Sequence, residues 1–358
     1  MLLAELTASA RTLALVGLAK NTGKTVALAR LLGELQAAGR LIGVTSVGRD
    51  GEERDVIDSR IEKPRVLLAT GDLVATTDGL LSASGIPHNV LENTGLRTPL
   101  GPVLIARLRG HGAIEVAGPS TAADVRAVSE AMLGHGAEQV LIDGAIDRRA
   151  ASSPAVTDGL VMSTGAVLST DLGEVVARTR DAVELVRLPI LAAGSEAARR
   201  LRELHGTSAL VDEGYEAVEL EPRFVLTAEG EAIAALLDSR PRARWLAVAG
   251  ALPESFMRDL AAVLHRRRRE LAVVVADPTR AFLTERGPEW YARQGARIEA
   301  LEPIALLALT VNPVAPQSHS FDSAELRAAL EGAIADLPIF DVLHSDYAGV
   351  AEAGGSRG

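Results

Sequence analysis

The residues best suited to chemistry stand together in TLALVGLAKNTGKTV, residues 12–26, where an apolar run meets Gly23, Lys24 and Thr25 and a helical pattern begins. Backbone N–H groups in such a turn, and at the helix N-terminus behind it, lack acceptors of their own, and phosphate oxygens satisfy them. A lysine amine is a compact charge on a flexible stem, so Lys24 can fold over the β and γ phosphates where a planar guanidinium would be too wide. The residue type is informative here. Lys and Arg total 37, only three of these are lysine, and Lys20 and Lys24 both lie in this loop. The hydroxyl of Thr25 is the expected Mg²⁺ ligand, as at the last position of a phosphate-binding P-loop. The nucleotide-binding segment is therefore expected to run through Gly17, Lys20, Asn21, Thr22, Gly23, Lys24, Thr25 and Val26, with Lys24 as its catalytic cation.

Magnesium takes hard oxygen ligands, which directs the search to carboxylates at strand ends near Thr25. Asp143, closing the apolar run in EQVLIDGAID, is the first candidate. Ligands of open parallel sheets bind beyond the carboxyl ends of strands, which is where Asp143 falls. Asp50 is the second, in GRDGEERD after the strand LIGVTSV. Glu52, Glu53 and Asp55 share that loop, and Arg49 beside Asp50 reads either as an electrostatic finger or as a surface arginine. Other chemistries find no support. The chain has no cysteine, which removes thiolate nucleophiles, thiolate metal sites and disulfides. No Gly-x-Ser-x-Gly elbow is present, and histidines such as His111 and His205 are scattered. The Asn-Lys-x-Asp signature that reads guanine is missing, so ATP is the expected nucleotide. Asn312-Pro313, at the end of a late strand, resembles an Asn-Pro adenine-binding turn, but its place so late in the chain favours a structural turn.

The elements that must position these residues follow from periodicity. After Thr25, apolar residues at 28, 31, 32 and 35 form a helical stripe that Gly39 terminates. The β-branched run 41–47 reads as a buried parallel strand, and so does the run ending at Asp143. Further strands are expected over 65–77, 100–118 and DGLVMSTGAVLS, with helices over 121–133 and 172–188. Beyond about residue 200 the alternation restarts with VELEPRFVLT, RWLAVAGAL, a helix 253–270, LAVVVAD, a helix 288–294, LLALTVNP, a helix 323–336 and IFDVL. The expected class is α/β: a P-loop domain with a mostly parallel sheet over 1–200, a smaller α/β domain over 201–345, and a flexible tail over 346–358.

Composition limits the partners. The net charge is −10, aromatics make up 3 % and mean hydropathy is +0.18. An acidic chain poor in aromatic rings is not expected to bind nucleic acid, and the run Arg266 to Arg269 reads as a solvated face. No signal peptide or membrane-spanning run is found, so a cytoplasmic protein without a membrane partner is expected.

GLAKNTGKT carries one residue more between its glycines than the common pattern. With VLIDGAID, that spacing resembles dethiobiotin synthetase and the cobyrinic-acid amide-forming synthetases, over residues 12–190. The resemblance implies Mg²⁺ held by Thr25, Asp143 and, through water, Asp50, a catalytic candidate whose loop also carries a group that senses the γ-phosphate. It makes Lys63 in IEKPRV a weak substrate-site candidate. It also suggests a homodimer in which Lys20 reaches the other subunit's nucleotide, although Lys20 lies in a different register from the corresponding lysine. A second resemblance spans the chain. GLAKNTGKT, TSVGRDGE, VLIDGAID, ALTVNPVAPQSHSFD and LPIFDVL are similar to the P-loop accessory subunits of cobalamin-dependent lysine and ornithine aminomutases. That likeness implies ATP hydrolysis driving release of damaged cofactor from a partner enzyme, whereas the first implies an ATP-dependent ligase activating a small carboxylate.

Overall fold

The computed structural model of the chain describes residues 2–47, 65–144, 153, 155–204, 206–316 and 319–342. In chain order the first half runs α1 (Leu3–Leu6), β1 (Thr12–Gly17), α2 (Lys24–Ala37), β2 (Ile42–Ser46), β3 (Val66–Leu68), β4 (Leu73–Thr77), α3 (Asp78–Ala83) and β5 (His88–Thr98). It continues through β6 (Gly101–Leu108), β7 (Gly112–Ile114), α4 (Ala122–Gly134), β8 (Gln139–Gly144), β9 (Gly159–Gly165) and α5 (Leu172–Val186). After α6 (Glu196–Glu203) come β10 (Ala209–Asp212), β11 (Ala217–Glu219), α7 (Phe224–Thr227), α8 (Gly230–Ser239), β12 (Ala243–Val248), β13 (Leu252–Pro253) and α9 (Glu254–Arg267). The rest comprises β14 (Leu271–Val275), β15 (Ala281–Phe282), α10 (Pro288–Arg293), β16 (Ala296–Ala300), β17 (Leu306–Asn312), α11 (Ser323–Ala333) and β18 (Ile339–Asp341).

Among the described residues, nine strands form one sheet in the order β18-β17-β9-β1-β8-β2-β4-β6-β5. Seven of them, β18 through β4, pair in parallel, and β6 and β5 complete one edge as an antiparallel hairpin. The protein is thus α/β with a large, mostly parallel sheet. Strand β1 lies at the centre, buried along its whole length, and its two faces enter different cores. Leu13 and Leu15 pack with Leu28, Leu31, Leu32 and Leu35 of α2, while Ala14 and Val16 face Val175 and Val183 of α5 and Leu326 and Leu330 of α11. Side chains alternate across a strand, so a strand covered on both faces must be apolar at every position. The apolar stretch TLALV meets that demand.

A second sheet has the order β11-β10-β12-β14-β16, with β12, β14 and β16 parallel. Its main core joins Leu246, Val273 and Ile298 to Phe256, Met257, Leu260 and Leu264 of α9. The sequence division near residue 200 assigned LLALTVNP and IFDVL to this second unit. In the structure these segments are β17 and β18, and they hydrogen-bond onto β9 in the first sheet. Alternation of strands and helices identifies parallel strands, but it carries no information about which sheet edge a strand joins. VELEPRFVLT, where the alternation restarts, divides into the short β11 and the helix α7. The arginine run lies at the surface, with Arg266 and Arg268 exposed, and its other two members also bond across to α8. Arg267 forks onto Asp238, and Arg269 donates to the carbonyls of Leu237, Arg240 and Pro241, closing the C-terminal end of α8.

Among the described residues, no helix is long and apolar enough to cross a membrane.

Candidate functional site

Three adjacent strand ends carry the site. Leu15 pairs with Asp143 across β1 and β8, and Ser46 pairs with Asp143 across β8 and β2, so Asp143 emerges beside the end of β1. The chain leaves β1 at Gly17 and turns through residues 18–23 into α2. Two glycines allow this path. A Cβ on Gly17 would stand 2.4 Å from Thr22 Oγ1, and Gly23 adopts φ +86°, the left-handed region that disfavours side chains. Thr22 is buried, and its hydroxyl donates to the Ala19 carbonyl at 3.0 Å, cross-linking the turn. Leu18 N–H donates to Ser163 O of β9 at 2.8 Å, which anchors the start of the turn to the sheet.

Helix α2 begins with no side-chain cap and no acidic residue in its first turn. The N–H groups of Gly23, Lys24, Thr25 and Val26 find no acceptor among the described residues, and the first satisfied amide is that of Ala27, on Gly23 O at 2.9 Å. These unspent donors carry the positive end of the helix dipole. The Lys24 amine lies 2.6 Å from Asp143 Oδ1, with both side chains about one quarter exposed. Asp143 Oδ1 is shielded from solvent, and the Lys24 amine is the cation that faces it. Thr25 is half-buried, and its hydroxyl bonds to no described residue.

The structure therefore brings Gly17, Thr22, Gly23, Lys24, Thr25 and Asp143 together. Lys20, Asn21 and Val26 are exposed on the same turn. Asp50, with Arg49, Glu52, Glu53, Asp55 and Lys63, lies outside the described residues, as does His205. No group of three or more His, Asp or Glu that could hold a metal exists among the described residues. The turn and Asp143 supply only a partial ligand set. One surface concavity of the second unit is bordered by Thr227, Arg258 and Arg266 and another by Ser195, Arg199 and Arg202, and the loop lines neither.

One further residue meets the loop from a distant part of the chain. Asn312 ends β17, accepts the Val314 N–H on Oδ1 at 3.1 Å as the expected structural turn requires, and in addition donates from Nδ2 to the carbonyl of Asn21 at 3.0 Å. The available signal was an Asn-Pro pair closing an apolar strand. What concealed it was the sheet order, which returns β17 to within one strand of β1.

Comparison of the chain with protein-family models, with curated proteins and with solved structures finds no match. The fold class and the geometry above are therefore the basis for a functional reading.

Proposed function

We propose that this chain binds Mg-ATP through residues 17–26 and hydrolyses it as a nucleotide-driven accessory or reactivating factor for a partner enzyme. The observation that carries the proposal is the meeting of the Lys24 amine and the Asp143 carboxylate, 2.6 Å apart, where four amides of the α2 N-terminus are unspent. Each part has a complementary task. The amides suit phosphate oxygens, and the Lys24 amine suits the charge of the β and γ phosphates, exchanging Asp143 for phosphate when nucleotide binds.

Thr25 and Asp143 are hard oxygen donors that fit Mg²⁺, and Asp143, whose shielded Oδ1 already faces the Lys24 cation, stands where a second cation could be held. The ion, when bound, neutralises charge developing on the transferring phosphoryl group. Asp50 belongs to the proposal on sequence grounds, as a further metal ligand and catalytic acid. The choice of ATP follows from the missing guanine signature, and the accessory role from the resemblance that spans the chain.

Calorimetric titration with Mg-ATP tests the reading. Wild type should bind and Lys24→Ala should not; retained affinity in that variant would overturn the site. A basal hydrolysis rate that rises with a protein partner is expected. Turnover that instead requires a small carboxylic acid would make the chain a ligase.

A further inference from the structure

Asn312 makes two side-chain hydrogen bonds. Nδ2 donates to Asn21 O at 3.0 Å, and Oδ1 accepts the N–H of Val314 at 3.1 Å. The second bond fixes the orientation of the amide, because only its oxygen can accept, so the NH₂ group must face Asn21. Asn21 stands at φ +65°, a conformation that costs a non-glycine residue and persists where neighbours hold it. Asn312 also meets the far end of this turn: a Cβ on Gly23 would lie 2.9 Å from Asn312 Cβ. One side chain thus bonds to Asn21 and leaves no room for a side chain at Gly23.

We infer that Asn312 is a positioning residue for the phosphate-binding turn, an inference that rests on the function proposed above. The physical link is the peptide plane. In a trans peptide the C=O and the following N–H point in opposite directions. Holding the Asn21 carbonyl against Asn312 therefore aims the Thr22 N–H the other way, and it fixes the chain that leads to the open amides of Gly23 and Lys24. The support arrives from a distant part of the sequence. Residues 301–305 connect β16 of the second sheet to β17, so the strand returning from the second unit is the one that braces the turn.

The test compares wild type, Asn312→Ala and Asn312→Asp as full chains, with ATP, ADP and inorganic tripolyphosphate as titrants and thermal melting as the control. Asn312→Asp keeps an acceptor for Val314, removes the donor to Asn21 and adds a negative charge, so Asn312→Ala, which adds none, separates the lost hydrogen bond from charge repulsion. A positioning role predicts that both variants lose about tenfold in affinity for all three titrants while the melting midpoint moves by only a few degrees. Loss confined to the nucleotides, with tripolyphosphate unaffected, would make Asn312 a base contact and overturn the inference. Unchanged affinities would also overturn it while leaving the proposed phosphate site intact. Wild type that binds neither ATP nor tripolyphosphate would remove that site, and this inference with it.

Discussion

Ser153 Oγ donates to Asp277 Oδ2 at 3.1 Å across 124 residues of chain, and both side chains are buried. Asp277 follows β14, and its other oxygen accepts the N–H and hydroxyl of Thr279. A buried carboxylate is tolerated only when its lone pairs are occupied, so this contact joins the segment between β8 and β9 to the second sheet at a site that penalises its loss. Ser153→Ala should lower unfolding free energy by about 1–2 kcal/mol, and Asp277→Ala by about 2–3 kcal/mol. Because the two share one bond, the double variant should cost less than the sum in urea unfolding. Strict additivity would show that the bond carries no energy.

The Lys24 to Asp143 pair separates stability from binding. Both side chains are about a quarter exposed, so solvent screens their attraction and the pair should contribute no more than about 1 kcal/mol. Lys24→Ala should therefore melt close to wild type while losing Mg-ATP binding. A large drop in melting temperature would mean that the lysine serves the fold instead.

Arg30 and Glu34 behave differently because they are shielded. Glu34 is 3 % exposed, accepts Arg30 Nε at 2.9 Å, and accepts the N–H of Ala4 at 2.8 Å. Arg30 also donates to Asp341 O at 2.9 Å and lies 5.9 Å from the centre of the Phe340 ring. The pair ties α2 to α1 and to β18, the last described strand. Arg30→Ala leaves a buried carboxylate without its cation, and a loss of about 3–5 kcal/mol is expected in denaturant unfolding.

How much of this was legible follows from what local sequence encodes. β1, α2 and β8 were readable because strands covered on both faces must be apolar throughout and because Gly, Lys and Thr stand in a fixed order at the turn. Asp143 was readable for the same reason, as the acid that interrupts such a run. β5 was not, because HNVLENTGLRT is an edge strand with no fully buried position and so no apolar pattern. β17 was read as a strand, but its sheet was not, since its partner β9 is more than 140 residues away. Asn312 does close a turn onto Val314, and only its reach to Asn21 depends on that sheet order. The short α1, α3, α6 and α8 lacked a long enough stripe, and the roles of Arg267 and Arg269 appear only once α8 and α9 lie side by side.

Glu254 sets a pH dependence. Partial burial raises its carboxyl pKa, but hydrogen bonds from the N–H groups of Thr284 and Glu285, the Tyr291 hydroxyl and the Thr284 hydroxyl outweigh this and hold it below the ordinary glutamate value. Burial and the Glu254 charge in turn push the Tyr291 phenol up, keeping it a donor. A depressed acid stabilises the fold above its unfolded pKa, and the contribution is lost as pH falls through the folded value. The melting difference between wild type and Glu254→Gln should accordingly be full near pH 7 and shrink as pH falls below the usual glutamate range. A difference that grows on acidification would reverse the assigned sign.

Gly165, at the end of β9, lies against Asn312 with almost no room. A Cβ there would stand 2.1 Å from Asn312 O and 3.0 Å from Asn312 Cβ. Its backbone is extended, so any residue could adopt the conformation, and the demand for glycine is purely one of space. Gly165→Ala must push β17 away from β9, at a cost of about 1–3 kcal/mol for overpacking. Because Asn312 also holds the Asn21 carbonyl, the displacement should reach the turn, and affinity for tripolyphosphate should fall alongside stability. Gly33→Ala is the control: it lies within α2, where a Cβ meets nothing within 4 Å, and alanine there should raise stability by about 0.5–1 kcal/mol. If Gly165→Ala melted and bound like wild type, the close approach of β9 and β17 that brings Asn312 to the loop would be wrong.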